Sequence, residues 1–270
     1  MIRILSALVL IPLAAAAIWF LPPLGLLVVA EVVLWLAFLE YARMAEALGV
    51  RFSRVVAGCA AAATCVAVVL PGGSVQAVLM AAVIAMAAVS VAAGRIGRDV
   101  LGEVVAGLFA ALYLGLPLGA IVATASMAGR EAVLLLILTV AASDTAQFYT
   151  GSLFGRRRLA PIISPKKSIE GAIGGLVGGP LALAIVGHWW LPAVAPAWRV
   201  ALGVVVVATG ILGDLFESQI KRTSGVKDSS ALIPGHGGVL DRIDSICFAA
   251  PVFFHFTRFW LEVNKVVPPG

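Results

Sequence analysis

The sequence predicts an all-α polytopic membrane protein of about nine transmembrane helices, with its N-terminus cytoplasmic and its C-terminus outside. Three observations lead there. The chain is 61% hydrophobic and 12% charged, with a mean hydropathy of +1.07, whereas soluble domains carry about a quarter charged residues. Its apolar residues fall in runs close to the roughly 20 residues that one span needs. Its basic residues alternate from one connection to the next, as the positive-inside rule requires.

Taken in order, the apolar runs place spans at 4–21, 24–41, 55–70, 75–93, 101–125, 131–150, 169–190, 199–219 and 242–261. Arg3 followed by an apolar run to Phe20 resembles a signal peptide. No small-residue cleavage pattern follows, and Leu21-Pro22-Pro23 leads into another apolar run, so a retained first span is expected. Pro22-Pro23 and Pro71-Gly72-Gly73 make short turns on one side, and Trp189-Trp190 fits an interfacial aromatic belt. The 28 glycines and 14 prolines suit a bundle packed through small residues. Two longer connections, 151–168 and 220–241, fall on the other side. The third run is the shortest of the nine.

The 19 basic residues test this count. With the N-terminus inside, 15 fall on inside segments: Arg3, Arg43, Arg51, Arg54, Arg95, Arg98, Arg156, Arg157, Arg158, Lys166, Lys167, Lys221, Arg222, Lys227 and Arg242. Only Arg130, Arg199, Arg258 and Lys265 fall outside. Adding or dropping one span would scramble that bias. The reading is one integral membrane domain over 1–270. Helices of 1–130 serve as scaffold and candidate dimer contacts, and 131–270 supply the catalytic helices and cytoplasmic loops. The site is expected at the cytoplasmic face of the cell (inner) membrane.

Some function classes drop out. Cys59, Cys65 and Cys247 lie in apolar surroundings without CxxC or Cys/His metal spacing, and read as packing thiols. The net charge of +5 is not gathered on a basic helix or recognition motif, so nucleic acid is not an expected partner. No internal repeat is evident, against an inverted-repeat transporter.

The chemistry concentrates in 218–244, the most polar stretch. Asp241 and Asp244 are three apart at the start of a helix, hence on one face. Asp214 lies near the end of the preceding span, with Glu217 one turn on, and Asp144 lies inside the sixth span, where a charge is expensive. Carboxylates beside Lys221, Arg222 and Lys227 suggest Mg²⁺ bound with substrate phosphates. The plainer alternative is a set of structural ion pairs. His236 between Gly235 and Gly237-Gly238 reads as a turn or as part of a phosphate cradle. Ser164-Pro165-Lys166-Lys167-Ser168 opens the seventh helix: Ser168 can cap it, and the helix start with two lysines makes an anion site. Glu31 falls mid-span, remote from this cluster, where helix–helix hydrogen bonding is its plainest use. Glu40 and Tyr41, at a cytoplasmic helix end, are candidates to reach the site.

The stretch holding Ser218, Lys221, Arg222, Lys227, Asp228, His236, Gly237, Gly238, Asp241, Arg242 and Asp244 resembles the signature of the phosphatidate cytidylyltransferases, or CDP-diacylglycerol synthases. Ser143-Asp144-Thr145, the Phe148-Tyr149 pair and Ser164-Pro165-Lys166-Lys167 agree with it. The likeness covers about 140–250, and 1–130 is similar in hydropathy alone. Relatives often carry Thr-Trp after the lysine pair, where this chain has Ser168-Ile169; the hydroxyl is kept and the aromatic is not.

The resemblance implies that CTP and phosphatidate, a membrane lipid, become CDP-diacylglycerol and pyrophosphate with Mg²⁺. A second cation remains an open alternative. It implies Asp214 and Asp241 as main metal ligands, with Asp144 and Asp244 in or near the shell. Lys166, Lys167, Lys221, Arg222 and Lys227 would hold phosphates, and His236, Gly237 and Gly238 would shape the loop. Ser164, Ser168, Ser218, Asp228 and Arg242 join the expected substrate-binding set. A homodimer is also implied. Alternatives are a CTP-dependent transferase or kinase for another lipid, such as an isoprenoid-ether phosphatidate or a polyprenol, and an anion transporter. The DGxxAR pattern of CDP-alcohol phosphotransferases is absent.

Overall fold

The structure, a computed structural model, describes residues 2–94, 96–97, 99–233, 235 and 237–264. His236, expected in the loop, lies outside the described residues, as do Arg95, Arg98 and Lys265 of the charge count.

Helices occupy every predicted position. They are α1 (Ile2–Phe20), α2 (Pro23–Ala47), α3 (Arg54–Val69), α4 (Val75–Ala92), α5 (Val100–Ala110), α6 (Leu116–Ala128), α7 (Arg130–Phe154), α8 (Ile169–Trp190), α9 (Pro196–Thr223) and α10 (Leu240–Val263). A π turn, Ala111–Gly115, joins α5 to α6, so that Val100–Ala128 is one apolar stretch. Among the described residues, seven helices are long and apolar enough to cross a membrane: α2, α4, Val100–Ala128, α7, α8, α9 and α10. Leu8–Phe20 and Arg54–Val69 are shorter apolar helices.

Local chemistry sets the helix starts. Pro23 stands at the first position of α2, where its missing N–H costs nothing. Ser53, Ser74 and Ser168 cap α3, α4 and α8, each accepting from the amide three residues on, at 3.4, 3.1 and 3.1 Å.

Two long connections differ from expectation. α9 runs to Thr223, so Lys221 and Arg222 belong to its last turn rather than to a loop; cations are favoured at a helix C-terminus. Segment 151–168 is not irregular. It finishes α7 and then forms an antiparallel hairpin of β1 (Arg158–Ala160) and β2 (Ser164–Ser168). The Glu170 carboxylate pins the hairpin's entry by accepting from the Arg156 and Arg157 amides at 3.0 and 3.3 Å. Arg199, counted as an outside charge, is buried in α9 and donates to the Val194 and Ala184 carbonyls at 2.6 and 3.3 Å.

The chain divides into two compact units. Unit 1 is Met1–Ala123 with Thr223–Arg242, and unit 2 is Thr124–Arg222 with Ile243–Gly270. In unit 1, Leu34, Phe38, Ala57, Ala61 and Leu114 are fully buried. Gly115 and Gly119 press on the α3 backbone; a Cβ on Gly119 would stand 2.7 Å from the Cys65 carbonyl oxygen. In unit 2, α7 and α8 pack along much of their length. Gly171, Gly174, Gly175 and Gly178 turn toward α7, and a Cβ on Gly178 would stand 2.6 Å from Ala146 Cβ. Small residues that let backbones approach are how helices associate in lipid.

This geometry separates two glycines. Gly178→Leu should destabilise the protein by about 1–3 kcal/mol through overpacking. Gly102→Ala, where the added Cβ meets nothing within 4 Å, should be neutral or slightly stabilising. Thermal melts of the two variants in detergent measure the difference.

Candidate functional site

Unit 2 holds a cleft of about 360 Å³ where α7, β2, α8 and α9 approach. Asp144, Gln147 and Gly151 come from α7, Lys166, Lys167 and Ser168 from β2, Gly171 from the first turn of α8, and Asp214 from α9. Phe148, Ser152 and Ala172 complete much of the wall. The site therefore assembles side chains 70 residues apart in sequence, through the hairpin that returns the chain from α7 to α8.

The charges are partnered. The Lys167 ammonium forms an ion pair with Asp214 Oδ2. Gln147 Nε2 donates to Asp144 Oδ1 at 3.1 Å and to Ser143 Oγ at 3.2 Å. Ser168 Oγ is taken up by the Gly171 amide, so it acts as the predicted cap. Lys166 is exposed beside the cleft. Ser164 lies at the other end of β2, paired with Ala160. Ser218 is one turn beyond Asp214, its hydroxyl 3.5 Å from Asp214 Oδ1. Lys221 pairs with Glu217 on the same face of α9, and Glu217 is wholly buried. Asp244 accepts from the Ser245 amide at 2.7 Å and lies within electrostatic reach of Asp214, Lys221 and Lys167. Arg222 is exposed.

The remaining predicted residues form a second polar centre in unit 1. The loop 224–239 contains exposed Lys227 and Asp228, and an isolated bridge between Ile233 and Gly237 closes its turn. Asp241 Oδ2 accepts from Ser229 N at 2.9 Å, Ser229 Oγ at 2.8 Å and Gly238 N at 2.7 Å. The Glu40 carboxylate, two turns before the end of α2, accepts from Ser229 Oγ, Ser230 Oγ, Val239 N and Leu240 N at 2.8, 2.6, 3.0 and 2.8 Å.

Gly237 takes φ +81°, a conformation that L side chains rarely adopt. A Cβ on Gly238 would overlap the Glu40 carboxylate and Ser229 Oγ. In this loop the glycine pair makes room for two protein carboxylates. Arg242 is exposed on the first turn of α10.

The sequence named Glu40 as a candidate and left Glu217, Gln147, Glu170, Ser229 and Ser230 without roles. The signal for Glu217 was its place between Asp214 and Lys221 at helical spacing. The partners of Glu40 stand 189 to 200 residues away, a separation no local pattern encodes.

Among the described residues, no three His, Cys, Asp or Glu side chains gather into a ready metal site. The cleft's two carboxylates, Asp144 and Asp214, suit a hard cation that takes its remaining ligands from phosphates and water.

A family model described as "Cytidylyltransferase family" matches residues 1–260. The chain belongs to the cytidylyltransferase family. Curated relatives named phosphatidate cytidylyltransferase include one from Haemophilus influenzae, 47% identical over 137 residues, covering 49% of this chain and 48% of that protein. One from Synechocystis is 43% identical over 138 residues, covering 50% and 46%. One from Pseudomonas aeruginosa is 43% identical over 122 residues, covering 45% of each. The matched region spans about half the length of these relatives.

The buried Glu217–Lys221 pair sets a stability test for this family member. Glu217→Leu should cost about 1.5–3 kcal/mol, the scale of one charged hydrogen bond lost from the Lys221 ammonium, and adding Lys221→Met should recover part of that loss. Melting temperatures of the single and double variants check it.

Proposed function

We propose that this protein transfers the cytidylyl group of CTP to phosphatidate, forming CDP-diacylglycerol and pyrophosphate at the cytoplasmic face of the cell membrane. The observation that carries the reading is the unit 2 cleft. Two carboxylates, two lysines and a serine-capped helix start surround one volume, on helices apolar enough to lie in lipid. A soluble anionic nucleotide and a lipid phosphate both find complementary charge there. The names of the curated relatives agree with this reaction.

In this reading a phosphate oxygen of phosphatidate attacks the α-phosphorus of CTP. The bond from that phosphorus to the oxygen bridging to the β-phosphate breaks, and its electron pair leaves with pyrophosphate. The nucleophile is already ionised at neutral pH, since a phosphate monoester has its second pKa near about 6, so no general base is needed. The obstacle is repulsion between two anions. Lys166, exposed at the cleft, meets incoming phosphate. Lys167, held on Asp214, keeps its ammonium in place before substrate arrives. Ser168 fixes the start of α8, whose positive dipole end favours an anion.

Mg²⁺, held by Asp144 and Asp214 with Asp244 in or near its shell, would neutralise charge on the leaving phosphates; Asp241, expected as a main ligand, is taken up by its own loop in unit 1. Lys221, Arg222 and Lys227 supply further cations, and the loop of Asp228, His236, Gly237, Gly238 and Arg242 handles the nucleotide. The reading includes nine crossings, with α1 and α3 spanning too, an N-terminus inside, and a homodimer.

The test uses purified protein, labelled CTP, phosphatidate and Mg²⁺, and counts label in the chloroform-soluble fraction. Wild type should transfer label, and EDTA should stop it. Asp214→Asn should lower turnover by at least about a hundredfold, the usual scale for an electrostatic group at the reacting centre. Label that appears only with another lipid phosphate or a polyprenol would replace phosphatidate as the acceptor. Full turnover in Asp214→Asn would remove that carboxylate from the site.

A further inference from the structure

Glu40 is 2% exposed and, among the described residues, accepts four hydrogen bonds from one loop and the helix start that follows it. Two of its donors are the Val239 and Leu240 amides. Leu240 is the first residue of α10, and helix-start amides have no partner within their own helix. The usual remedy is a cap from the residue just before the helix. Here that position is Val239, which has no side-chain acceptor. A carboxylate from α2, nearly 200 residues earlier, does the job, and its charge suits the positive end of the helix. The next residue, Asp241, then binds back to Ser229 and Gly238.

The Ser229 hydroxyl stands 2.8 Å from both Glu40 Oε2 and Asp241 Oδ2. Its single proton serves one of them at a time, which couples the two carboxylates. Gly238 is part of the same fit, since any side chain there would collide with Glu40.

We propose that Glu40 is a positioning residue. It caps α10 from a distant helix and thereby fixes Asp241 and the 229–240 loop for cytidylyl transfer. The catalytic half of this proposal rests on the functional reading above; the structural half does not.

The experiment pairs amide hydrogen exchange with steady-state kinetics on full-length Glu40→Ala and Glu40→Gln in detergent. In Glu40→Ala the Val239 and Leu240 amides should exchange at least about tenfold faster, the size of one lost charge-assisted hydrogen bond. Exchange in α7 and α8 should not change. kcat per folded molecule should fall about tenfold or more, with little change in the KM for CTP. Glu40→Gln, which keeps the length and one acceptor oxygen, should fall between.

Unchanged exchange at Val239 and Leu240 overturns the capping role. Faster exchange with wild-type kcat overturns the positioning role, because a merely structural contact would lower the amount of folded protein and leave turnover alone. If Glu40→Ala does not fold, Glu40→Gln decides both points by the same readouts. Wild-type protein that makes no lipid-soluble product overturns the functional reading and the catalytic half with it, while exchange still decides whether Glu40 holds the helix start.

Discussion

The cleft in unit 2 depends on α7 and α8 meeting almost backbone to backbone. A Cβ on Gly171 would come within 2.9 Å of the Gln147 carbonyl oxygen, and one on Gly151 within 3.1 Å of Ser168 Oγ. Both glycines line the cleft. Because the α8 glycines put no side chain of their own between the helices, the chain can turn back through a short hairpin and bring the lysines of β2 beside the carboxylates of α7 and α9. In lipid there is no hydrophobic force to drive that contact, so close packing must supply it. The same glycines therefore serve association and site geometry.

A second constraint is that charge in an apolar chain must be met. Every carboxylate prominent in these sites has a partner drawn from its own unit. Asp214 has Lys167, Glu217 has Lys221, Glu40 has two hydroxyls and two amides, and Asp241 has a hydroxyl and two amides. An unmatched carboxylate in such surroundings is costly. The two centres differ in kind. The unit 2 cleft presents its charges around open volume, as a site for anions would. The unit 1 centre turns its acceptors inward onto its own loop.

How much of this was legible follows from the range of each interaction. Helix positions were, because lipid demands long apolar runs and the runs are local. The Ser168 cap was, since a cap spans three residues. The membership of Asp144, Lys166, Lys167 and Asp214 in a polar site was, through residue type and the resemblance of their motifs. The ends of α7 and α9 were not, because polar residues at a helix terminus read equally well as loop. Lys221 and Arg222 are helical since a C-terminal turn welcomes cations. The hairpin at 158–168 was missed because Ser-Pro-Lys-Lys has little strand character, and Glu170 and the α7–α8 contact impose it from outside. Glu40 could be suspected from its place at the end of the span expected at 24–41, although α2 runs on to Ala47. Its partners could not be named, since nothing near residue 40 refers to residue 229.

The Glu217–Lys221 pair bears on how the chain enters a membrane. Its two charges sit four residues apart on one helix, so they can find each other as soon as that single turn of α9 has formed. During synthesis α9 emerges before α10 exists. A helix whose acid and base are already joined presents the bilayer with a neutral dipole rather than two ions. The order of the chain thus lets this acid and base offset each other within α9 before any of α10 is made.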